Sequence, residues 1–400
     1  MNNKKIVPRD AWQWGLSCEF LKVEDILALE VPDLMKQYDF GLFLKMYEED
    51  FDETYKKLLE KLIELDIFDH FFPWPCLSID EGYYPNKHNV DAFTILIDRI
   101  LDWYEEKNFP PPEYILVDLE PDINPERFEE AERLRAENRL IFQDNEGNIC
   151  IPETEKETEE DVQRKEKEEK KGGGIMETVG KLIDGIDEMD EEEFMKASKK
   201  FQNLVNHMHN RGTKALCVAL PMTFDDMKDG KHLLQDFFTT PIQTVKWDMF
   251  NYMIFTLPTK NIFAHEDYVH LVYSYCKDFL ETHGEKASIT FGITGFGKKM
   301  GQVNPELYVK EFNEALAAGV TKLGIFCLEN VLMLGEKNYR AFFNTINTAN
   351  GDFTPDEEKL KFANMVRRIF EGLDYIAPAL LHLVKSGRAM QLIQKAIGGF

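Results

Sequence analysis

Three observations predict a (β/α)8 barrel. Short apolar runs recur along the whole chain, amphipathic helical patterns separate them, and polar turns join the two. Such alternation implies parallel strands joined by right-handed crossovers, and eight strands is the number that closes a barrel. An open doubly wound sheet is the rival class. It finds no support, because neither a Gly-x-Gly-x-x-Gly turn after a strand nor a Gly-Lys-Ser/Thr phosphate loop is present.

In chain order the strand expectations are Trp14–Phe20, Phe40–Met46, His70–Leu77, Tyr114–Leu119, Ala215–Leu220, Asp248–Phe255, Ser288–Ile293 and Lys322–Leu328. Between them, apolar residues at helical spacing predict helices over Thr54–Leu65, Val90–Tyr104, Glu193–His209, Asp267–Thr282 and Glu306–Ala318. Residues 1–124 then form the first half of the barrel and 193–350 the second half. A barrel of this type takes about 250 residues, so a chain of 400 carries extra material.

Part of that material is an excursion over 125–192, directly after the fourth strand. Glu153–Lys171 is nearly devoid of apolar residues and runs into Gly172-Gly173-Gly174, which predicts a solvated charge run with a hinge. Ile175–Ile183 has the pattern of a short amphipathic helix. Emerging beside the strand-four acids, the excursion is expected to serve as a lid or as the contact for a protein partner. The remainder, 351–400, reads as a helical extension packed on the barrel, with Phe362, Met365, Ile369 and Leu373 as its apolar positions.

A formal charge of −25 argues against nucleic acid as a partner, since phosphate binding depends on basic patches. No long uninterrupted apolar segment predicts a membrane span, and Met1-Asn2-Asn3-Lys4-Lys5 leads into a strand rather than a signal-peptide core. Six cysteines, scattered without Cys-x-x-Cys spacing, are expected as buried reduced thiols, which suits the cytoplasm.

The residues that carry chemistry are sought at the carboxyl ends of the strands. Strand four ends Asp118-Leu119-Glu120, and alternation along a strand points both acids the same way. Crowded like charges favour keeping one proton, the state a general acid needs. Strand one offers Glu19 and strand two Lys45, whose charge among apolar neighbours is expected to pair with Glu19 or Asp118. Strand three supplies Trp74, strand six Tyr252, and strand eight Glu329 and Asn330. An acidic and aromatic collection suits sugars. One carboxylic acid protonates the leaving oxygen, a second group stabilises the cationic transition state, and aromatic faces stack on the rings.

Asp118-x-Glu120 resembles the end of the acidic motif of chitinase-type glycoside hydrolases and is similar to the Asp-x-Glu of barrel-type lysozymes. The resemblance implies a substrate containing N-acetylhexosamine. It makes Glu120 the general acid, Asp118 its electrostatic partner and Tyr252 the contact to the substrate's acetamido group. This chain departs from the pattern at Leu116, where a further acid is usual, and at Tyr252-Met253 and Phe326-Cys327-Leu328-Glu329. A second glycosidase plan, suggested by Glu120-Pro121, would use Glu329 as a further carboxylate. Glu19, Lys45, Trp74 and Asn330 are then expected to bind the substrate, and no cofactor is required. Two alternatives stand beside this reading. One is a barrel that binds a glycan or a protein without catalysis. The other is a sugar isomerase or lyase in which Glu19, Asp118, Glu120 and Glu329 hold a divalent cation. Imidazole ligands do not strengthen the second, because the histidines do not cluster.

Overall fold

In a computed structural model of the chain, the described residues are 14–119, 142, 150, 191–221, 223–224, 232, 235–236, 240–255, 265–292, 305–365 and 367–368. They form a (β/α)8 barrel. Its strands are β1 (Trp14–Cys18), β2 (Gly41–Met46), β3 (Phe71–Pro75), β4 (Tyr114–Asp118), β5 (Lys214–Ala219), β6 (Met249–Phe255), β7 (Ala287–Gly292) and β8 (Lys322–Phe326). Every expected strand is present, with ends shifted by a residue or two. The described helices are α1 (Val23–Ala28), α2 (Val31–Tyr38), α3 (Glu53–Glu64), α4 (Val90–Glu106), α5 (Glu191–Asn210), α6 (His265–His283), α7 (Pro305–Ala318), α8 (Leu328–Leu332) and α9 (Glu336–Ile346).

The sheet order is β3-β2-β1-β8-β7-β6-β5-β4, and its hydrogen-bonded neighbours run parallel. Its two ends come round to face each other. The Phe72 ring of β3 lies 6.2 Å from the Tyr114 ring of β4, which brings the circle nearly to closure.

Two cores follow from the period-two alternation of strand side chains. Outward residues such as Leu16, Leu42, Ile115, Cys217, Ile289 and Ile325 pack against the helices in one large apolar layer. Inward residues form a second cluster that includes Phe43, Phe72, Trp74, Leu116, Val218 and Met253. The inner space is tight. A Cβ on Gly15 would come within 2.7 Å of the Phe43 ring, and one on Gly324 within 2.4 Å of Thr290 Oγ1. Glycine at these inward positions makes room for the Phe43 ring and the Thr290 side chain on the adjacent strands.

Helix starts follow local chemistry. Asp52 accepts from the backbone N–H groups of Thr54 and Tyr55, which caps α3, while Tyr55, Leu58, Leu59 and Leu62 form its buried face. The paired hydroxyls of Tyr55 and Tyr104 then tie α3 to α4 beneath the surface.

Most of the 125–192 excursion lies outside the described residues, as do Ile175–Ile183, Ile369 and Leu373. Within it, ahead of α5, Phe142 is buried with its ring 6.3 Å from Phe20, and its carbonyl accepts from the Cys150 N–H. Beyond α9, a helix over 357–365 docks against α6. Arg367 makes the firmest join: its guanidinium lies over the Tyr275 ring, pairs with Asp278 at 2.9 Å and donates to Ser274 Oγ. Among the described residues no helix is long and apolar enough to cross a membrane.

Candidate functional site

The inward side chains nearest the carboxyl ends of the strands surround a pocket of about 70 Å³. Ser17 and the following Glu19 come from the β1 side, Trp74 from β3, Asp118 from the end of β4, Asn251 and Met253 from β6, Thr290 from β7 and Phe326 from β8. Phe43, Leu116 and Val218 form its lower wall, and Tyr84, from the turn after β3, closes one side. The strands deliver these groups by simple counting. Asp118 stands two residues above Leu116 on the inward face, and Ser17 and Glu19 stand above Gly15.

Asp118 and Glu19 are 3% and 4% exposed, so both carboxylates sit at one pocket with little bulk water around them. A carboxylate in such a place interacts strongly with whatever charge enters. The field of Asp118 is already felt by its neighbours. Burial first, and the Asp118 charge second, push the Cys217 thiol on β5 well above its ordinary range.

Two further polar groups have hydrogen-bonding capacity to spare. Asn251 donates through Nδ2 to Ser288 Oγ at 2.9 Å, whereas its Oδ1 is buried without a partner among the described residues. Trp74 Nε1 is likewise buried without an acceptor. Lys45 stands two residues above Phe43 on the inward face of β2, in register with Trp74, its Nζ 5.2 Å from the Tyr47 ring centroid and 5.6 Å from that of Tyr83. The adjacent Tyr83 and Tyr84 rings meet edge to face at 4.4 Å. Cation–π contact with two rings offsets part of the cost of burying the ammonium.

The structure thus gathers Glu19, Trp74 and Asp118 at the pocket, with Lys45 close by, and sets Tyr252, Glu329 and Asn330 elsewhere. Glu120 lies outside the described residues. Tyr252 faces outward, away from the pocket. Its ring stacks on Phe279 at 4.0 Å and its hydroxyl meets His283 Nε2 at 3.0 Å. Alternation explains the correction: Asn251 and Met253 are the inward residues of β6, so the residue between them must face the helices. The acetamido contact assigned to Tyr252 is withdrawn.

Glu329 is also engaged elsewhere. At the start of α8, its Oε1 accepts from the backbone N–H groups of Glu19, Phe20 and Leu21 at 2.6, 2.8 and 3.3 Å, and from Cys18 Sγ at 3.2 Å. It fastens the loop after β1 and does not line the pocket. Asn330 likewise stays off the pocket, donating through Nδ2 to Cys327 Sγ at 3.1 Å. Burial and the Glu329 charge hold both the Cys18 and the Cys327 thiols well above their ordinary range. Among the described residues no three His, Cys, Asp or Glu side chains form a group that would hold a metal ion.

Sequence reasoning passed over Tyr84 and Thr290. Thr290 was reachable by counting two residues back from Gly292 along the inward face. Tyr84 gives no such signal, because the turn that carries it has no period.

No family model matches the chain, and no curated protein matches it. Among solved structures, the chain is similar to a GH5 family lichenase from a Caldicellulosiruptor species, at 12% identity and a TM-score of 0.43, covering 84% of this chain and 83% of that one. It is also similar to a broad-specificity endoglucanase from an uncultured bacterium, at 9% identity and a TM-score of 0.42, over 80% of this chain and 84% of that one. An L-ribulose 3-epimerase is similar at 9% identity and a TM-score of 0.39, over 88% of this chain and 97% of that one. Similarity at this distance leaves the function to be argued from the pocket itself.

Proposed function

We propose that this barrel hydrolyses a glycosidic bond, binding its sugar at the pocket lined by Asp118 and Glu19. The single observation behind this reading is the convergence of two buried carboxylates, from different strands, on one pocket with an aromatic wall. Glycosidic cleavage needs that equipment: one carboxyl group gives a proton to the leaving oxygen while another stabilises the oxocarbenium-like transition state. The sequence motif assigns proton donation to Glu120 and the stabilising role to Asp118. Glu19 is the further carboxylate at the same pocket, and Trp74 and Tyr84 offer faces for a sugar ring. Lys45 serves as counter-charge, the 125–192 excursion as a lid, and the site of action is the cytoplasm.

The test is a screen of the full chain on aryl glycosides, aryl N-acetylglucosaminides and peptidoglycan-type polymers, with Glu120→Gln in parallel. Turnover that falls by about 10²-fold or more in Glu120→Gln supports the assignment. Absence of turnover on all three classes, or a variant as active as the parent, removes it.

A glycan-binding barrel without catalysis is the second reading. It is favoured by the engagement of Glu329, whose Oε1 is taken up by three backbone amides rather than presented to a substrate. Binding of a sugar without any turnover would select it.

A further inference from the structure

Two uncharged groups at the pocket hold unused hydrogen-bonding capacity, and they are opposite in kind. Asn251 is 2% exposed, and a relay sets the direction of its amide. Ser288 Oγ gives its one proton to the Phe250 carbonyl at 3.3 Å, so toward Asn251 it can only accept, from Nδ2 at 2.9 Å. Asn251 Oδ1 is thereby the unused end, an acceptor that lacks a donor among the described residues. Trp74 Nε1 can only donate, and it is buried without an acceptor. Buried polar atoms left in this way are costly, and a ligand that completes them relieves the cost. Trp74 on β3 and Asn251 on β6 stand three strands apart around the barrel, both lining the pocket. Asn251 also lies deep: Met253 and Thr290, paired across β6 and β7, stand one inward step above it, and Val218 flanks it on β5.

We infer that Asn251 and Trp74 read the hydroxyl groups of a neutral, underivatised hexose ring, one hydroxyl donating to Asn251 Oδ1 and another accepting from Trp74 Nε1. A hydroxyl fills either role by turning its single proton. The approach to Asn251 past Met253 and Thr290 suits a group of that size, whereas an acetamido group would bring a carbonyl and a methyl into the same gap. One orphan acceptor and one orphan donor ask no charge of the ligand, and the charged side chains Glu19, Lys45 and Asp118 keep the interactions they already make. This assignment rests on the glycan reading of the pocket and narrows it, making the pair its specificity-determining residues.

Calorimetric titration of the full chain with D-glucose, D-galactose, D-mannose and N-acetyl-D-glucosamine is the first arm of the test, since it needs no turnover. The best of the three hexoses is expected to bind about tenfold or more tighter than the acetylated sugar. The second arm removes hydroxyls one at a time, using the monodeoxy analogues of that hexose. Loss of the hydroxyl that Asn251 reads should cost about tenfold in the parent and less than about twofold in Asn251→Ala, a coupling that a merely structural residue would not show. Trp74→Phe keeps an aromatic ring and loses only the N–H donor, and a different deoxy analogue should lose its penalty there, so the inference does not hang on one variant folding. No binding of the three hexoses, N-acetyl-D-glucosamine as tight as the best of them, or deoxy penalties that persist in both variants overturns it. The two readings fail separately: hydrolysis of N-acetylated glycosides by a chain that binds no hexose sinks only this inference. Hexose binding with the coupling intact and no turnover of any glycoside sinks only the hydrolase reading.

Discussion

Two sets of buried carboxylates at the same end of the barrel are used in opposite ways. At the seam where β8 meets β1, Glu329 is fully buried, and its Oε1 gathers three backbone N–H groups and a thiol. At the pocket a few residues away, Asp118 and Glu19 are nearly as buried but line a cavity. The difference separates acids that hold a fold together from acids placed where a ligand can meet them. Glu19 belongs to both regions, because its N–H is one of those fastened by Glu329 while its side chain lines the pocket.

The largest effect on stability should come from the seam. Glu329→Ala leaves three buried amides without their charged acceptor and is expected to cost about 3–5 kcal/mol in urea unfolding. A loss under about 1 kcal/mol would dissolve the distinction drawn between the two regions. Next is packing beneath the pocket. Gly324→Ala sets a Cβ within 2.4 Å of Thr290 Oγ1, so β7 and β8 must part or Thr290 must turn, at about 1–3 kcal/mol.

A third prediction concerns pH. Burial, and then the Glu311 charge, push the Glu314 carboxyl on α7 from 4.5 up to about 9. The folded protein therefore holds a proton that the unfolded chain gives up above its ordinary pKa. Stability is undiminished below about 4.5, falls as pH rises toward 9 and is level above it. The slope is about 1.4 kcal/mol per pH unit for one proton. Glu314→Gln should flatten that slope in unfolding titrations, and a slope unchanged by the substitution would refute it. On the acid side His283 acts in the other direction. Burial first, and Lys286 second, lower it from 6.5 to about 4, so stability is lost as pH falls between those values. The smallest expected stability effect is at the pocket: Asp118→Asn should change unfolding free energy by no more than about 1 kcal/mol, or raise it.

The fold was legible because its evidence is repetitive. Eight apolar runs separated by helical patterns overdetermine a barrel, and errors of a residue or two at strand ends do not disturb the count. The site was legible only where period two was applied strictly. It brings Glu19 and Asp118 to one cavity, and applied to β6 it selects Asn251 and rejects Tyr252. Glu329 deceived for a different reason. An acid just past a strand looks the same in sequence whether it faces a cavity or the backbone of the neighbouring strand's loop, and its partners lie about three hundred residues away. Tyr84 rides on a turn whose path depends on tertiary contacts, among them the Tyr83 ring against Tyr47 at 6.2 Å.

The initial rate of Asp118→Asn on the best aryl glycoside, measured against the parent at equal folded concentration, bears most directly on the pocket as a catalytic centre. A fall of about 10²-fold or more with folding intact is the expected result. A rate within a few-fold of the parent would place the chemistry somewhere other than this pocket.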